Sequence, residues 1–227
     1  MATIPAGLVR HLRNPAKALL MLCTVLLVSA TAQSVAEAAP AKRAGHVYLM
    51  RGIFNVFSLG MDQMAYKLQA AGVAATVANH TSWRSMADDM IANYRSGNRE
   101  PIILMGHSAG ADATISIARR LQDAGVPVAL IVNFDPVSPD PVPPNVKSVV
   151  NYYVPAGWGA AVAADKRFKG QLANVNENGT TNHFSIDKDD GLQRQAIARV
   201  LAVTGGGARR GPAKKKPAQQ VSAAPAP

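Results

Sequence analysis

Between residues 46 and 203 the hydrophobic positions follow two rhythms. Short β-rich apolar runs recur at 46–50 (HVYLM), 73–79 (VAATVAN), 101–105 (PIILM), 126–136 (VPVALIVNFDP), 146–154 (VKSVVNYYV) and 171–179 (QLANVNENG). Gly, Pro or Asn bounds most of them, so each predicts a strand. The 126–136 run is continuously apolar, as in a parallel strand covered on both faces. Between these runs the period changes to that of a helix. Met64, Leu68 and Ala71 share one face of a predicted helix over 61–71, which Gly72 ends. Thr81 or Ser82 caps a second helix to about Tyr94, with Trp83, Met86, Met90 and Ile91 on its apolar face. A third carries Ala113, Ile117 and Leu121 and stops at Gly125, and a fourth spans about Asp189 to Val203. Strands alternating with helices predict an α/β fold, a mostly parallel sheet flanked by helices on both faces. No insertion is long enough for a separate cap domain.

The two ends break this pattern. Arg10, Arg13 and Lys17 precede the apolar stretch Ala18–Ala30, too short for a membrane span, and small-residue sites follow at Ala30-Thr31-Ala32 and Ala36-Glu37-Ala38. Residues 1–38 read as a signal peptide cleaved after Ala38, with an uncleaved anchor as the alternative. Export to a bacterial periplasm or medium is the expectation. Cys23, the only cysteine, lies inside that stretch, so the mature chain has no thiol or disulfide chemistry. Residues 205–227 are mostly Gly, Pro, Ala and cations, with Val221 as the one sizeable apolar residue, and predict a disordered basic tail. Of the net charge of +10, the leader supplies +2 and the tail +5, which leaves +3 for the domain at 39–204. The fold itself therefore carries no nucleic-acid footprint. The tail is either simply solvated or makes weak contact with an anionic envelope surface.

The candidate chemistry centres on Gly106-His107-Ser108-Ala109-Gly110, which reads G-x-S-x-G between a predicted strand and a predicted helix. That context turns a common pentapeptide into a nucleophile elbow. The turn is sharp, and its glycines allow a close backbone crossing. Ser108 would project from the sheet, and the Ala109 N–H would face a developing oxyanion. The plainer alternative is an ordinary turn with Ser108 as a helix cap. A serine needs a base, and the base an orienting carboxylate.

GHSAG at 106–110, FDPVSP at 134–139 and NHFSID at 182–187 together resemble the α/β-hydrolase superfamily, in particular its small lipase-like and thioesterase-like members, over residues 46–203. The resemblance implies a serine hydrolase with the chain order Ser, acid, His. His183 is the histidine that lies after the last strand and before the last helix, and becomes the base. Asp135, at a strand end, becomes the acid on the pancreatic-lipase pattern, while Asp165 is the acid if it sits one strand later. Asp187, Asp189 and Asp190 read as helix-start charges. The loop after the first strand begins Arg51-Gly52 where relatives often have His-Gly, and the implied second oxyanion donor is the Ile53 N–H. Phe54 and Phe57 are candidate substrate-binding residues, or pack on the sheet edge. Arg51 holds an anionic group of the substrate or pairs within the domain. Residues 156–170 form a flexible cover or a short helix.

Scattered histidines and absent glycine-rich phosphate loops give no metal site and no cofactor. The expected activity is hydrolysis of a carboxylic ester or thioester of a small or lipid-like molecule. Export disfavours acyl-CoA. The alternative is a non-catalytic envelope-binding module on the same scaffold.

Overall fold

The computed structural model describes residues 40–205. The expected signal peptide, and all of the basic tail but Gly205, lie outside the described residues. Six strands form one sheet: β1 (His46–Arg51), β2 (Ala74–Asn79), β3 (Ile102–His107), β4 (Leu130–Phe134), β5 (Ser148–Tyr153) and β6 (Gln171–Asn176). Their order is β2-β1-β3-β4-β5-β6, and every pairing is parallel. Among the described residues, four α-helices flank the sheet: α1 (Leu59–Ala70), α2 (Trp83–Arg95), α3 (Ala109–Asp123) and α4 (Asp190–Thr204).

Alternation along β3 sends its side chains to both faces of the sheet. Ile103 and Met105 join Met61, Met64 and Leu68 of α1 and Leu192, Ala196 and Val200 of α4 in one core layer. Ile102 and Leu104 join Ala87 and Met90 of α2 and Ile115, Ile117 and Leu121 of α3 in the other. A sheet covered on both faces explains why β3 and β4 are buried at every position.

Three elements differ from the sequence pattern. The run at 126–136 is a ladder strand only over Leu130–Phe134, with Val128 bridging Val146 alone. Pro127 offers no N–H to a ladder there. The elbow strand runs two residues further than its apolar stretch, so Gly106 and His107 belong to the sheet and pair with Met50 and Phe134. Residues 156–170 form turns and no helix. Gly157 and Gly159 disfavour a helix, and side-chain amides tie this segment down. Asn151 Nδ2 donates to Ala160 O, and the Asn174 amide bonds both the N–H and the C=O of Val162.

Candidate active site

The carboxyl ends of β1, β3 and β4 lie side by side, with Arg51, His107 and Phe134 as their last residues. The residues that follow them, Gly52, Ser108 and Asp135, therefore meet at one edge of the sheet, where parallel α/β sheets place their sites. Ser108 takes φ 59° and ψ −130° between β3 and α3. This is a strained region for a residue with a Cβ. Its N–H donates to Phe134 O at 2.9 Å, which anchors the turn. The motif glycines are required by close approach. A Cβ on Gly106 would collide with the Gly110 carbonyl, and one on Gly110 with the Met50 carbonyl of β1.

Asp135 is also left-handed, at φ 54°, a conformation that aspartate tolerates better than most residues. The turn aims its carboxylate back under the loop that bears His183. Oδ2 lies 2.6 Å from His183 Nδ1, and Oδ1 accepts the Val154 N–H at 2.6 Å. His183 Nε2 lies 3.0 Å from Ser108 Oγ. Asp135 is fully buried and His183 nearly so. Nδ1–H donating to the carboxylate leaves the Nε2 lone pair to accept the serine O–H. The three residues singled out from the sequence thus form one hydrogen-bonded run. Asp165 stands apart, as a half-buried carboxylate 3.4 Å from Arg167 Nε.

Two residues with free backbone donors line the same cavity among the described residues. Ala109 opens α3, so its N–H has no intrahelical acceptor. Among the described residues, neither it nor the Ile53 N–H finds a hydrogen-bond partner. The Gly52–Ile53 peptide is held by its other end, since Asn79 Nδ2 donates to Gly52 O at 3.1 Å. Planarity of a trans peptide then turns the Ile53 N–H to the opposite side. Gly52 passes so close to the nucleophile that a Cβ there would stand 3.0 Å from Ser108 Cβ.

A cavity of about 240 Å³ opens over Ser108. Gly52, Ile53, Phe54, Phe57, Val137, Trp158 and Phe184 line it beside Ser108 and His183. Phe54 and Phe57 meet edge to face at 6.1 Å, Phe57 and Phe184 at 5.2 Å, and Phe184 and Trp158 at 5.5 Å. Trp158 also meets the His183 ring at 5.0 Å. Four aromatics thus run in a chain around the mouth. Asp112, in the first turn of α3, is the ionisable group in the wall besides the two histidines. Burial raises its pKa, and the N–H groups of Ser138 and Val137 that it accepts act in the opposite direction. Arg51 contributes no charge to the cavity, because both its Nε and an Nη hydrogen-bond Asp62. Among the described residues, no three His, Cys, Asp or Glu side chains gather as a metal site.

The sequence reading missed several of these groups. Trp158 and Phe184 carried a signal, one between two glycines and the other next to the candidate base. Ser58, Asn79 and Asp112 carried none until the strands were ordered. Asp187 was misassigned. It is fully buried, accepts the Gly60 N–H at 2.9 Å and sits 3.1 Å from Lys188 Nζ. Lys188 in turn donates to the carbonyls of Phe57 and Phe184, so the pair ties two aromatic loops together. Of the three acids, Asp189 caps α4 by accepting the Leu192 N–H, and exposed Asp190 pairs with Lys67.

This sheet order, with a strained serine at the end of its third strand and an Asp–His pair behind it, is an α/β-hydrolase-like fold with a serine-hydrolase-like site. A family model described as a thioesterase domain matches residues 58–145, which include Ser108 and Asp135 and stop short of His183. The chain is similar in structure to the type II thioesterase BorB from the borrelidin biosynthetic cluster, with 11% identity over 74% of this chain and 94% of that one, at a TM-score of 0.51. An esterase domain from Rhodothermus marinus aligns at 13% identity over 75% of this chain and 90% of that one, with a TM-score of 0.48. The RedJ thioesterase of the prodiginine pathway in Streptomyces coelicolor aligns at 12% identity over 76% and 98%, with a TM-score of 0.45. At these identities the likeness to BorB speaks to the fold. No curated protein matches the sequence.

Proposed function

We propose that the protein is an exported acyl hydrolase that cleaves a carboxylic ester, or a thioester, through a covalent acyl-enzyme. The observation that carries this reading is the run Ser108–His183–Asp135, at 3.0 and 2.6 Å, beneath an apolar cavity. Ser108 Oγ attacks the carbonyl carbon while His183 Nε2 takes its proton. Asp135 holds the ring and stabilises the imidazolium that forms. The N–H groups of Ala109 and Ile53 receive the oxyanion. Collapse of the tetrahedral intermediate expels the alcohol or thiol, which leaves with the proton from His183. Water, deprotonated by the same nitrogen, then attacks the acyl-Ser108 ester and frees the acid.

The aromatic mouth suits an apolar acyl group. Among the described residues, no lysine or arginine lines the cavity, so they offer no such cation to a phosphate or carboxylate of the substrate. This, with the export reading, favours an uncharged oxygen ester over a nucleotide-borne thioester. The basic tail would add weak contact with an anionic envelope surface. Deleting residues 206–227 should leave turnover of a small soluble ester unchanged and weaken binding to anionic vesicles, binding that salt should also weaken.

A fluorophosphonate probe tests the catalytic reading. Wild-type protein should label on Ser108. Ser108→Ala should not label, and its turnover of a soluble ester should fall by about 10⁴-fold or more. Folded wild-type protein that neither labels nor hydrolyses would leave the scaffold as a binding module.

A further inference from the structure

We propose that His107, the residue between Gly106 and Ser108 in the elbow, is a positioning residue that locks the base loop and the oxyanion loop together through one neutral tautomer. The inference rests on the serine-hydrolase reading and assigns a role to a side chain that the triad does not use.

Donor and acceptor chemistry fixes the direction of each link. His107 Nε2 lies 2.7 Å from the backbone carbonyl of His183. A carbonyl can only accept, so Nε2 carries the hydrogen. In a neutral ring Nδ1 is then an acceptor, and the group before it is Ser58 Oγ at 2.8 Å. Ser58 must donate its O–H there, and its oxygen is left to accept the Gly52 N–H at 2.9 Å. One unbroken run therefore goes from the Gly52 N–H through Ser58 and His107 to the carbonyl of His183. Every group in it is paired, and Ser58 and His107 are each only 1% exposed. A proton on Nδ1 would leave the Ser58 O–H without that acceptor. Burial lowers the pKa of His107 and favours the neutral ring.

The two ends of the run give it a catalytic consequence. Gly52 precedes Ile53, whose N–H faces the oxyanion, and His183 carries the base. These parts lie on separate loops, after β1 and after β6. His107 reaches both from the buried end of β3. Displacement of a reacting group by about 1 Å can cost on the order of 10²-fold in rate.

Two amide replacements separate the ends. His107→Asn offers an oxygen near the place of Nδ1, keeping Ser58 and losing the His183 carbonyl. His107→Gln offers an N–H near the place of Nε2, keeping that carbonyl and releasing Ser58. Rates on one soluble ester are normalised by fluorophosphonate titration, so poorly folding variants still report. Each variant should lose roughly tenfold to a hundredfold in kcat with little change in KM. Ser58→Ala, which also leaves the Gly52 N–H unpaired, should cost at least as much as His107→Gln, and the two combined should cost less than the sum of their separate losses, whereas Ser58→Ala added to His107→Asn should deepen the loss. Ser58→Thr, which keeps the hydroxyl, should restore most of the rate. Titrated kcat values within about twofold of wild type for His107→Asn, His107→Gln and Ser58→Ala would overturn the role of His107 alone. A wild type that neither labels nor turns over would overturn this inference together with the serine-hydrolase reading.

Discussion

Asp135→Asn is the substitution whose outcome the geometry constrains most tightly. Asparagine tolerates positive φ, so the left-handed turn at φ 54° survives the change. The new amide has one acceptor and one donor end. Val154 N–H, 2.6 Å from Oδ1, can only donate, so the amide oxygen must face it. The NH₂ then faces His183 Nδ1, 2.6 Å away in the native pair, and donates to it. His183 is driven to the tautomer with hydrogen on Nε2, which presents a donor to Ser108 where a base is needed. The flipped amide would restore the base but set NH₂ against the Val154 N–H. Leaving those buried groups unpaired costs about 1–3 kcal/mol. Loss of a buried carboxylate beside the transient imidazolium adds to that. Together they should reduce turnover by roughly 10³- to 10⁴-fold, or about 4–5.4 kcal/mol at 1.36 kcal/mol per decade. Initial rates on a soluble ester near neutral pH, with near-UV circular dichroism to check the fold, measure this. A folded Asp135→Asn protein within about tenfold of wild type would refute the tautomer argument.

Asp165→Asn should leave kcat/KM within about twofold, because a pair with the exposed Arg167, away from the cavity, contributes little; a crippled variant would return the acid to the later loop. Gly159→Ala should abolish most activity, since a Cβ there would strike the Asp135 carboxylate; normal turnover would show that the segment yields more readily than its amide ties imply. Burial lowers the pKa of His107, and also that of His46, below the ordinary 6.5. Their neutral forms belong to the folded state, so the stability they contribute is present above pH 6.5 and is lost as pH falls through the lowered values. The urea midpoint should drop from pH 7.5 to pH 5.5 and drop less in His107→Asn; identical slopes in the two proteins would contradict this.

The sequence by itself determined the layer plan and pointed to the candidate nucleophile and base. Apolar runs of strand length alternating with helical periods admit few arrangements other than a covered parallel sheet. Gly106 and Gly110 around Ser108 mark a turn where only a missing Cβ allows the crossing. His183 was legible because it sits between the last strand and the last helix. Local signals of this kind survive in one dimension because period and turn chemistry are properties of neighbours in the chain.

Tertiary structure decided what depends on which strand ends lie side by side. Asp135 and Asp165 look alike as loop aspartates, and only the turn after β4 buries one of them against His183, while the other pairs with Arg167. Ser58, Asn79 and His107 acquire roles because β1, β2 and β3 are adjacent in an order the chain does not follow. Asp187 reads as a helix-start charge until α1 brings the Gly60 N–H to it. Hydrogen-bond partners 27 to 127 residues apart leave no mark on local periodicity, because the burial that makes such bonds necessary exists only once the sheet has formed.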